Sequence, residues 1–593
     1  MRFLLFKVLT ASVTAATVSL SPIIVSAKKD VSTWKFIETL TTDQATIPGF
    51  EEQQLQSISG VNTTTTGNPG QLTSIKIQGA PTDYNRVLWN GLSLSESMVD
   101  ASLIPFSTGK VEVIKGVHCA EYGNIAIGGV VNILPFSMPE EQEGGLKLSG
   151  GNYIQSGHLW WRQKTKDGFS LQQHLEKNIF HGKNTIPKRY QGKYSTVKSS
   201  ETDKGYFLNQ LSFQNHHAKG KLQIGLLKST STGSNISHSN LFTFCDSRSK
   251  RTLQIYALDL EGINEKAQPF LKILKTKLIS QDFSPYQNGN SASTYGPENS
   301  KIKTGVKIKR DILLFEPLLE YHHNVWNTSG VNQKKNDEYA FVQGIHLDKD
   351  TFKWKNWVRA HKANHYDTIY AISSSVLKNY NDTELSAHFG TGFNIPDLYK
   401  LNDKKHGNKN LKHESAYGGN LGISQHTILG TFSVLVFKTN YKHQIVQQNQ
   451  KYQNINKSRQ EGFEIGWKKK INKAWMMELS GMYVDSVSLN PKRRLLNVPR
   501  TSANGKIIYE QDDLTVGFGC RYTGTQVQPD FEQYTVGIKR GGYPVCFGDI
   551  QYKFKEHATW FVNIENAFNR KIENPIGYRN PGFQINTGVS ITW

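Results

Sequence analysis

The chain has 593 residues, 37% of them hydrophobic and 11% aromatic, with a formal net charge of +21. That length calls for two domains or one large barrel rather than a single ordinary domain. Past the N-terminus no window holds about eighteen consecutive apolar residues, which excludes a later membrane-crossing helix.

Residues 1–27 read as a secretory signal peptide. Arg2 and Lys7 form a positive start, Val8 to Val25 is apolar or small, and Val25-Ser26-Ala27 fits small-residue cleavage, giving a mature N-terminus at Lys28. An exported chain argues against nucleic acid as the partner of the positive charge. Anionic lipid is the expected counter-charge, or the charge belongs to solvated loops.

Residues 28–137 form a compact α+β unit of short strands and glycine turns. Leu72 to Gly79 is one strand, and Asn90-Gly91 turns a hairpin between Arg86 and Leu94. Lys110 to Gly116, KVEVIKG, is another strand that ends in a glycine turn. In EYGNIAIGGVVNI, Glu121 to Ile133, the glycines permit tight turns and close approaches. Ile125, Ile127, Val130, Val131 and Ile133 supply strand formers around them. Pro135 and the acidic run Pro139 to Glu143 mark the boundary.

From residue 138 to 593 the texture changes to segments of about ten alternating residues between Asn, Gly, Ser and Lys-rich stretches. Phe432, Val434 and Val436 share one face, while Ser433 and Lys438 belong to polar positions or the strand end. Period two with a polar second face predicts a membrane-spanning β-barrel, since only every other residue must be apolar. About 455 residues, at about twenty per strand and turn, give roughly 22 antiparallel strands. The chain stops on an aromatic, with Phe583, Ile585, Val589, Ile591 and Trp593 on one face.

The four cysteines, Cys119, Cys245, Cys520 and Cys546, are too scattered for a disulfide framework or a zinc site. Cys520 and Cys546 fall on adjacent expected strands, where a disulfide and two separate thiols are both open. The neighbouring pairs His216–His217 and His322–His323 point to opposite faces of their strands, so neither pair forms a metal site. No nucleotide-binding loop, HExxH or nucleophile elbow occurs. The expectation is a non-enzyme without a cofactor or resident metal.

The run GQLTSIKIQG, WNGLSL, VEVIKG and YGNIAIGGVVNI resembles, in order and spacing, the plug of TonB-dependent outer-membrane receptors and transporters. GTGFNIPDLYKL with GNKNLKHES, SRQEGFEIGW and VNIENAFNRKIENPIGY resemble barrel segments of the same family. Overall spacing looks most like its cobalamin branch. The resemblance implies a bacterial outer-membrane location and an N-terminal plug inside a closed barrel. It also implies a monomer surrounded by outer-membrane lipid and lipopolysaccharide. Cargo would be a corrinoid, with a siderophore or haem iron chelate as the alternative. Transport would be powered by TonB of the inner-membrane TonB–ExbB–ExbD complex; an uncoupled pore or surface receptor is the rival from another class.

Carried over by position, Leu72, Ser74, Val99 and Asp100 would touch ligand. Pro81 stands where the cobalamin branch has an Asn, which removes a donor. That branch also orders its outer loops with calcium on a cluster of Asp residues. Here Phe180 to Thr202 holds Glu201 as its only acid, too little for a calcium site. The family's plug arginines and barrel glutamates map to Gln78, Lys115, Asn420 and Glu464. Lys115–Glu464 would then be an ion pair and Gln78–Asn420 a neutral contact, or all four are lumen groups met by water. The best match to the TonB-coupling box is Glu38, Thr39, Leu40, Thr41 and Thr42, which also reads as a first plug strand.

Overall fold

A computed structural model describes residues 36–41, 55–66, 70–95, 100–104, 109–183, 199–237, 243–283, 292–328, 331–448, 450–528 and 537–593. The expected signal peptide, Thr42 and Val99 lie outside these described residues.

The plug is built on seven strands: β1 (Ile37–Thr41), β2 (Val61–Thr65), β3 (Thr73–Ile77), β4 (Asn85–Trp89), β5 (Leu92–Ser93), β6 (Gly109–Lys115) and β7 (Gly129–Pro135). One short helix, α1 (Cys119–Tyr122), joins β6 to β7. Five strands form a sheet in the order β1-β6-β7-β4-β5, with β4 and β7 parallel, while β2 and β3 form a separate ribbon. Val87, Leu88, Trp89, Val130, Val131 and Ile133 are all buried. Burial on both faces explains why these strands read as continuous apolar runs rather than alternating ones. Asn90 and Gly91 take φ of 48° and 82° in the β4–β5 hairpin, as the Asn-Gly signal predicts. A Cβ at Gly129 would come within 2.7 Å of the Ile77 side chain, so β3 can lie close only against a glycine. Ile125 corrects one expectation. It is no strand residue but sits at φ 75°, a region that disfavours β-branched side chains. Its N–H donates to the Phe393 carbonyl of the barrel at 3.1 Å, so a barrel contact helps hold that conformation.

The barrel is a closed, antiparallel ring of 22 strands running from Glu143–Gly151 to Gln584–Thr592. The short segment Lys492–Arg494 folds back on the strand Trp475–Leu489 and extends the wall outward at one point. The last strand pairs with the first, and Trp593 and Gly144 exchange backbone hydrogen bonds of 2.9 and 3.0 Å. Trp593 and short turns such as Asp311-Ile312 and Asp512-Asp513 share one rim, the periplasmic side of such barrels. Longer connections, such as 395–413 and 566–583, share the outer rim. Phe432, Val434 and Val436 are exposed on the outer wall, and their alternates Leu435 and Phe437 are buried toward the plug. The lumen wall is otherwise largely polar, lined by buried His, Gln, Asn, Ser and Glu side chains. Among the described residues no helix is long and apolar enough to cross a membrane.

Candidate functional site

Lys115, the last residue of β6, is fully buried and joins three parts of the molecule. Its Nζ lies 2.6 Å from Glu38 Oε1 on β1 and 2.6 Å from Glu464 Oε2 on the barrel strand Lys451–Lys470. Burial works to lower the Lys115 pKa, yet the Glu38 and Glu464 carboxylates outweigh it and hold it above the ordinary lysine value. The second Glu464 oxygen accepts from Gln78 Nε2 at 3.0 Å. Asn420 Nδ2 donates instead to the Lys115 carbonyl at 2.9 Å. The expected Gln78–Asn420 contact is therefore corrected. Gln78, at φ 52° beyond β3, turns its amide to Glu464, and the end of β6 takes the Asn420 donor. Gly60 makes room for this arrangement, since a Cβ there would sit 2.6 Å from Glu464 Oε1.

Beside this knot the His118 ring stacks on the barrel's His388, centroids 3.9 Å apart and planes 14° apart. His388 Nε2 donates to the Val117 carbonyl at 2.8 Å, which leaves Nδ1 to accept from Ser375 Oγ at 2.9 Å. Phe36, immediately before β1, packs against both rings at 5.8 and 5.2 Å. Glu38 to Thr41 belong to β1, paired antiparallel with β6, and Glu38, Thr39 and Leu40 are partly or fully buried. Of the residues matched to the coupling box, Glu38 to Thr41 thus belong to the plug sheet, and a partner strand would meet them only at the outer edge of β1 or after β1 detaches from β6.

The residues matched to ligand contacts divide. Leu72 is half-buried, and its carbonyl accepts from Thr66 N at 3.0 Å. Ser74 lies in the β2–β3 ribbon with its hydroxyl 3.4 Å from the Thr64 carbonyl. Asp100 is buried, and its Oδ1 accepts from Thr73 N at 2.8 Å and Ser102 N at 2.9 Å. Its Oδ2 pairs with Arg251 of the barrel. With both oxygens engaged, Asp100 ties plug to wall instead of facing a ligand. Its backbone N–H partners, invisible in the sequence, are the reason.

At the outer mouth the fold assembles a site that sequence reasoning missed. Tyr295, Trp326, Tyr399 and Tyr452 form an arc, with successive ring centroids 6.2, 5.9 and 6.3 Å apart. Below Trp326 and Leu398 lies a small cavity lined by Asn299, Asn324, Asn336, Glu338 and the plug's Asn124. Asn299 Oδ1 and Asn324 Oδ1 are buried there without a hydrogen-bond partner among the described residues. The register explains the cluster: Asn299 faces Asn324 and Asn324 faces Asn336 across three adjacent strands, so their amides share the lumen side. The helical turn Leu398–Asn402 covers the cavity and is tied to the plug tip by Lys400, 3.4 Å from both Asp83 and Asp397. Nearby, plug Tyr84 donates to Glu414 at 2.8 Å and accepts from Gln444 at 2.9 Å. The segment GTGFNIPDLYKL contains Tyr399 and Lys400, but nothing in it signals the partners supplied by distant strands.

Cys520 and Cys546 stand opposite each other in register and form a disulfide. Cys119 is a free, buried thiol, pushed up to about 12 by burial. Among the described residues no group of three or more His, Cys, Asp or Glu side chains could hold a metal ion.

The family model described as "TonB dependent receptor-like, beta-barrel" matches residues 142–567, and "TonB-dependent Receptor Plug Domain" matches residues 52–130. The chain is similar to the vitamin B12 transporter BtuB of Vibrio cholerae, 21% identical across 93% of this chain and 91% of that protein. Its fold is similar to the siderophore receptor PirA of Acinetobacter baumannii, with TM-score 0.79, 15% identity and coverage of 95% and 99%. The ferric enterobactin receptor PfeA of Pseudomonas aeruginosa gives TM-score 0.78, 14% identity and coverage of 97% and 100%. The copper transporter OprC gives TM-score 0.80 at 14% identity, covering 97% and 100%. Cargo thus varies across this fold while barrel and plug persist. With the barrel family matched over most of its length, and a 22-strand wall closed around a docked plug, the chain belongs to the TonB-dependent receptor family of outer-membrane transporters.

Proposed function

We propose that this receptor imports a corrinoid, driven by TonB of the inner-membrane TonB–ExbB–ExbD complex. The observation that carries the reading is the aromatic arc above an amide-lined cavity at the outer mouth. A corrinoid offers a flat macrocycle, which stacks on Trp326 and Tyr399, rimmed by carboxamides, which pair with the unpartnered Asn299 and Asn324 carbonyls. Leu72 and Ser74 face the ligand from the β2–β3 ribbon. Similarity to a vitamin B12 transporter over 93% of the chain supports the same cargo. A second reading, a ferric chelate, is favoured by an open basic recess lined by Lys409, Lys412, Lys451 and His443.

The test is titration of the purified receptor with cyanocobalamin and with a ferric catecholate, each in the presence of a calcium chelator. Corrinoid binding should survive chelation, because Phe180 to Thr202 lacks the carboxylates a calcium site requires. Trp326→Ala should weaken it about tenfold, the scale of one lost aromatic contact. Tight ferric-catecholate binding with no corrinoid binding transfers the assignment to iron. Coupling is read separately: uptake that proceeds unchanged with the proton gradient collapsed makes the protein a passive pore.

A further inference from the structure

The small cavity below Trp326 is floored by amides whose orientation is fixed from behind. Asn299, Asn324 and Glu338 are all buried there. Glu338 Oε1 accepts from Asn324 Nδ2 at 3.2 Å and from Asn336 Nδ2 at 2.9 Å. A carboxylate only accepts, so each of these amides must turn its NH2 to Glu338 and its carbonyl away. Asn299 is turned by a different device. Thr276 Oγ1 donates its one proton to the plug's Leu94 carbonyl at 2.8 Å. That leaves the hydroxyl oxygen and the Leu94 carbonyl as acceptors for Asn299 Nδ2, at 3.3 and 3.5 Å. The Oδ1 atoms of Asn299 and Asn324 are left over, buried and without a hydrogen-bond partner among the described residues.

An occupant of this cavity must therefore bring hydrogen-bond donors, because an acceptor would leave both carbonyls unpaired. Its volume of about 30 Å³ admits one small group and no ring. A metal cation fits poorly. The other Glu338 oxygen already accepts from His361 Nε2 at 3.1 Å, with His322 Nδ1 3.9 Å away. Two free carbonyls fall far short of the six to eight oxygens that calcium takes. A carboxylate brings no donor, and its charge would face two carbonyl oxygens with Glu338 behind them. A primary carboxamide brings two N–H donors on one nitrogen, one for each free carbonyl.

We propose that this cavity takes one primary carboxamide of the cargo and rejects a carboxylate in its place, and that Glu338 is the positioning residue that sets the choice. This rests on the corrinoid reading of the mouth, the group being one of the macrocycle's peripheral amides. The selectivity is written in the wall behind the asparagines, since the same amides turned over would present donors and favour an acid.

The experiment titrates the full-length receptor in detergent with cyanocobalamin and with its monoacids, in each of which one peripheral carboxamide is hydrolysed to a carboxylate. One monoacid should bind about a hundredfold more weakly than the parent, since a site built for N–H donors rejects an analogue without them. The others, altered at solvated positions, should stay within about threefold. Glu338→Gln, whose own amide can donate to an asparagine carbonyl and let that asparagine turn over, should narrow the gap to about tenfold or less. A merely structural role for Glu338 would weaken parent and monoacid alike and keep their ratio. Monoacids that all match the parent overturn the proposal, and a ratio unchanged in Glu338→Gln overturns the role of Glu338. The monoacid series uses the unaltered protein, so it decides even if the Glu338 variant fails to fold. If cyanocobalamin does not bind, the corrinoid reading fails by itself, and fluorine NMR decides the cavity. Trifluoroacetamide should then broaden and trifluoroacetate should not, with the broadening lost in Asn324→Leu. Equal response to both probes, none to either, or broadening kept in Asn324→Leu overturns the proposal.

Discussion

Of the charged ties between plug and barrel, those at Lys115 and Asp100 differ in how far water is excluded. Lys115 is sealed between Glu38 and Glu464, with side-chain exposures of 1%, 11% and 5%. Arg251, the barrel half of the other tie, is 19% exposed against 7% for Asp100. The sealed tie joins side chains of three segments, with Lys115 held between two carboxylates. The wetter tie rests as much on backbone N–H groups of the plug itself, at Thr73 and Ser102. A buried charge stripped of its partner is far costlier than a screened one, which ranks the two.

The ranking can be broken by substitution. Glu464→Ala leaves Lys115 with Glu38 alone and Gln78 without an acceptor, and should destabilise the docked plug by about 3–5 kcal/mol. Denaturant-induced plug release in detergent measures this; a loss below about 1 kcal/mol would mean that water already reaches the knot. Asp100→Ala removes the Arg251 partner and the acceptor of two backbone N–H groups, and should cost a smaller amount, about 2–3 kcal/mol. Its loss should shrink further in high salt, as expected of a partly solvated pair. Equal losses in the two variants, independent of salt, would show that burial is not what separates the ties.

The smallest effect is on pH, and it sharpens the contrast between the lysine knot and the histidine stack beside it. Burial first, and the neighbouring His388 ring second, hold His118 well below the usual histidine value. A base with a depressed folded pKa is docked uncharged. Its contribution is complete above the unfolded value of about 6.5 and is lost as pH falls below it, by at most about 1.4 kcal/mol per pH unit. Lys115, whose pKa is raised, contributes fully below about 10.4 and loses its contribution only at higher pH. Plug release should therefore be flat from about pH 7 to 9 and ease on acidification toward pH 5. His118→Gln should weaken the acid limb; an acid limb of unchanged size would place the titrating group elsewhere.

Not all of this was legible from residues. The alternation at Phe432, Val434 and Val436 and the aromatic terminus at Trp593 announce a membrane barrel, because lipid on one wall forces period two. Asn90-Gly91 announces its hairpin for an equally local reason. Ile125 misled, since its β-branched side chain favours a strand and only the contact with Phe393 shows why it sits in a left-handed turn. The family pattern named Lys115 and Glu464 together but assigned Gln78 to the wrong partner. It made Asp100 a ligand contact where the fold makes it a tie.

Local chemistry settled the strands, their facing and the apolar outer wall, because each depends on neighbours a few residues away. Which lumen groups meet was decided only when the 22 strands closed around the plug. Closure sets the stagger of each strand against the next, and a shift of one residue turns a side chain from lumen to lipid. Register alone put Cys520 opposite Cys546 and aligned three asparagines beneath Trp326. The docked plug then chose among many polar groups on that wall, bringing Glu464 to Lys115 and Arg251 to Asp100 from more than a hundred residues away in the chain.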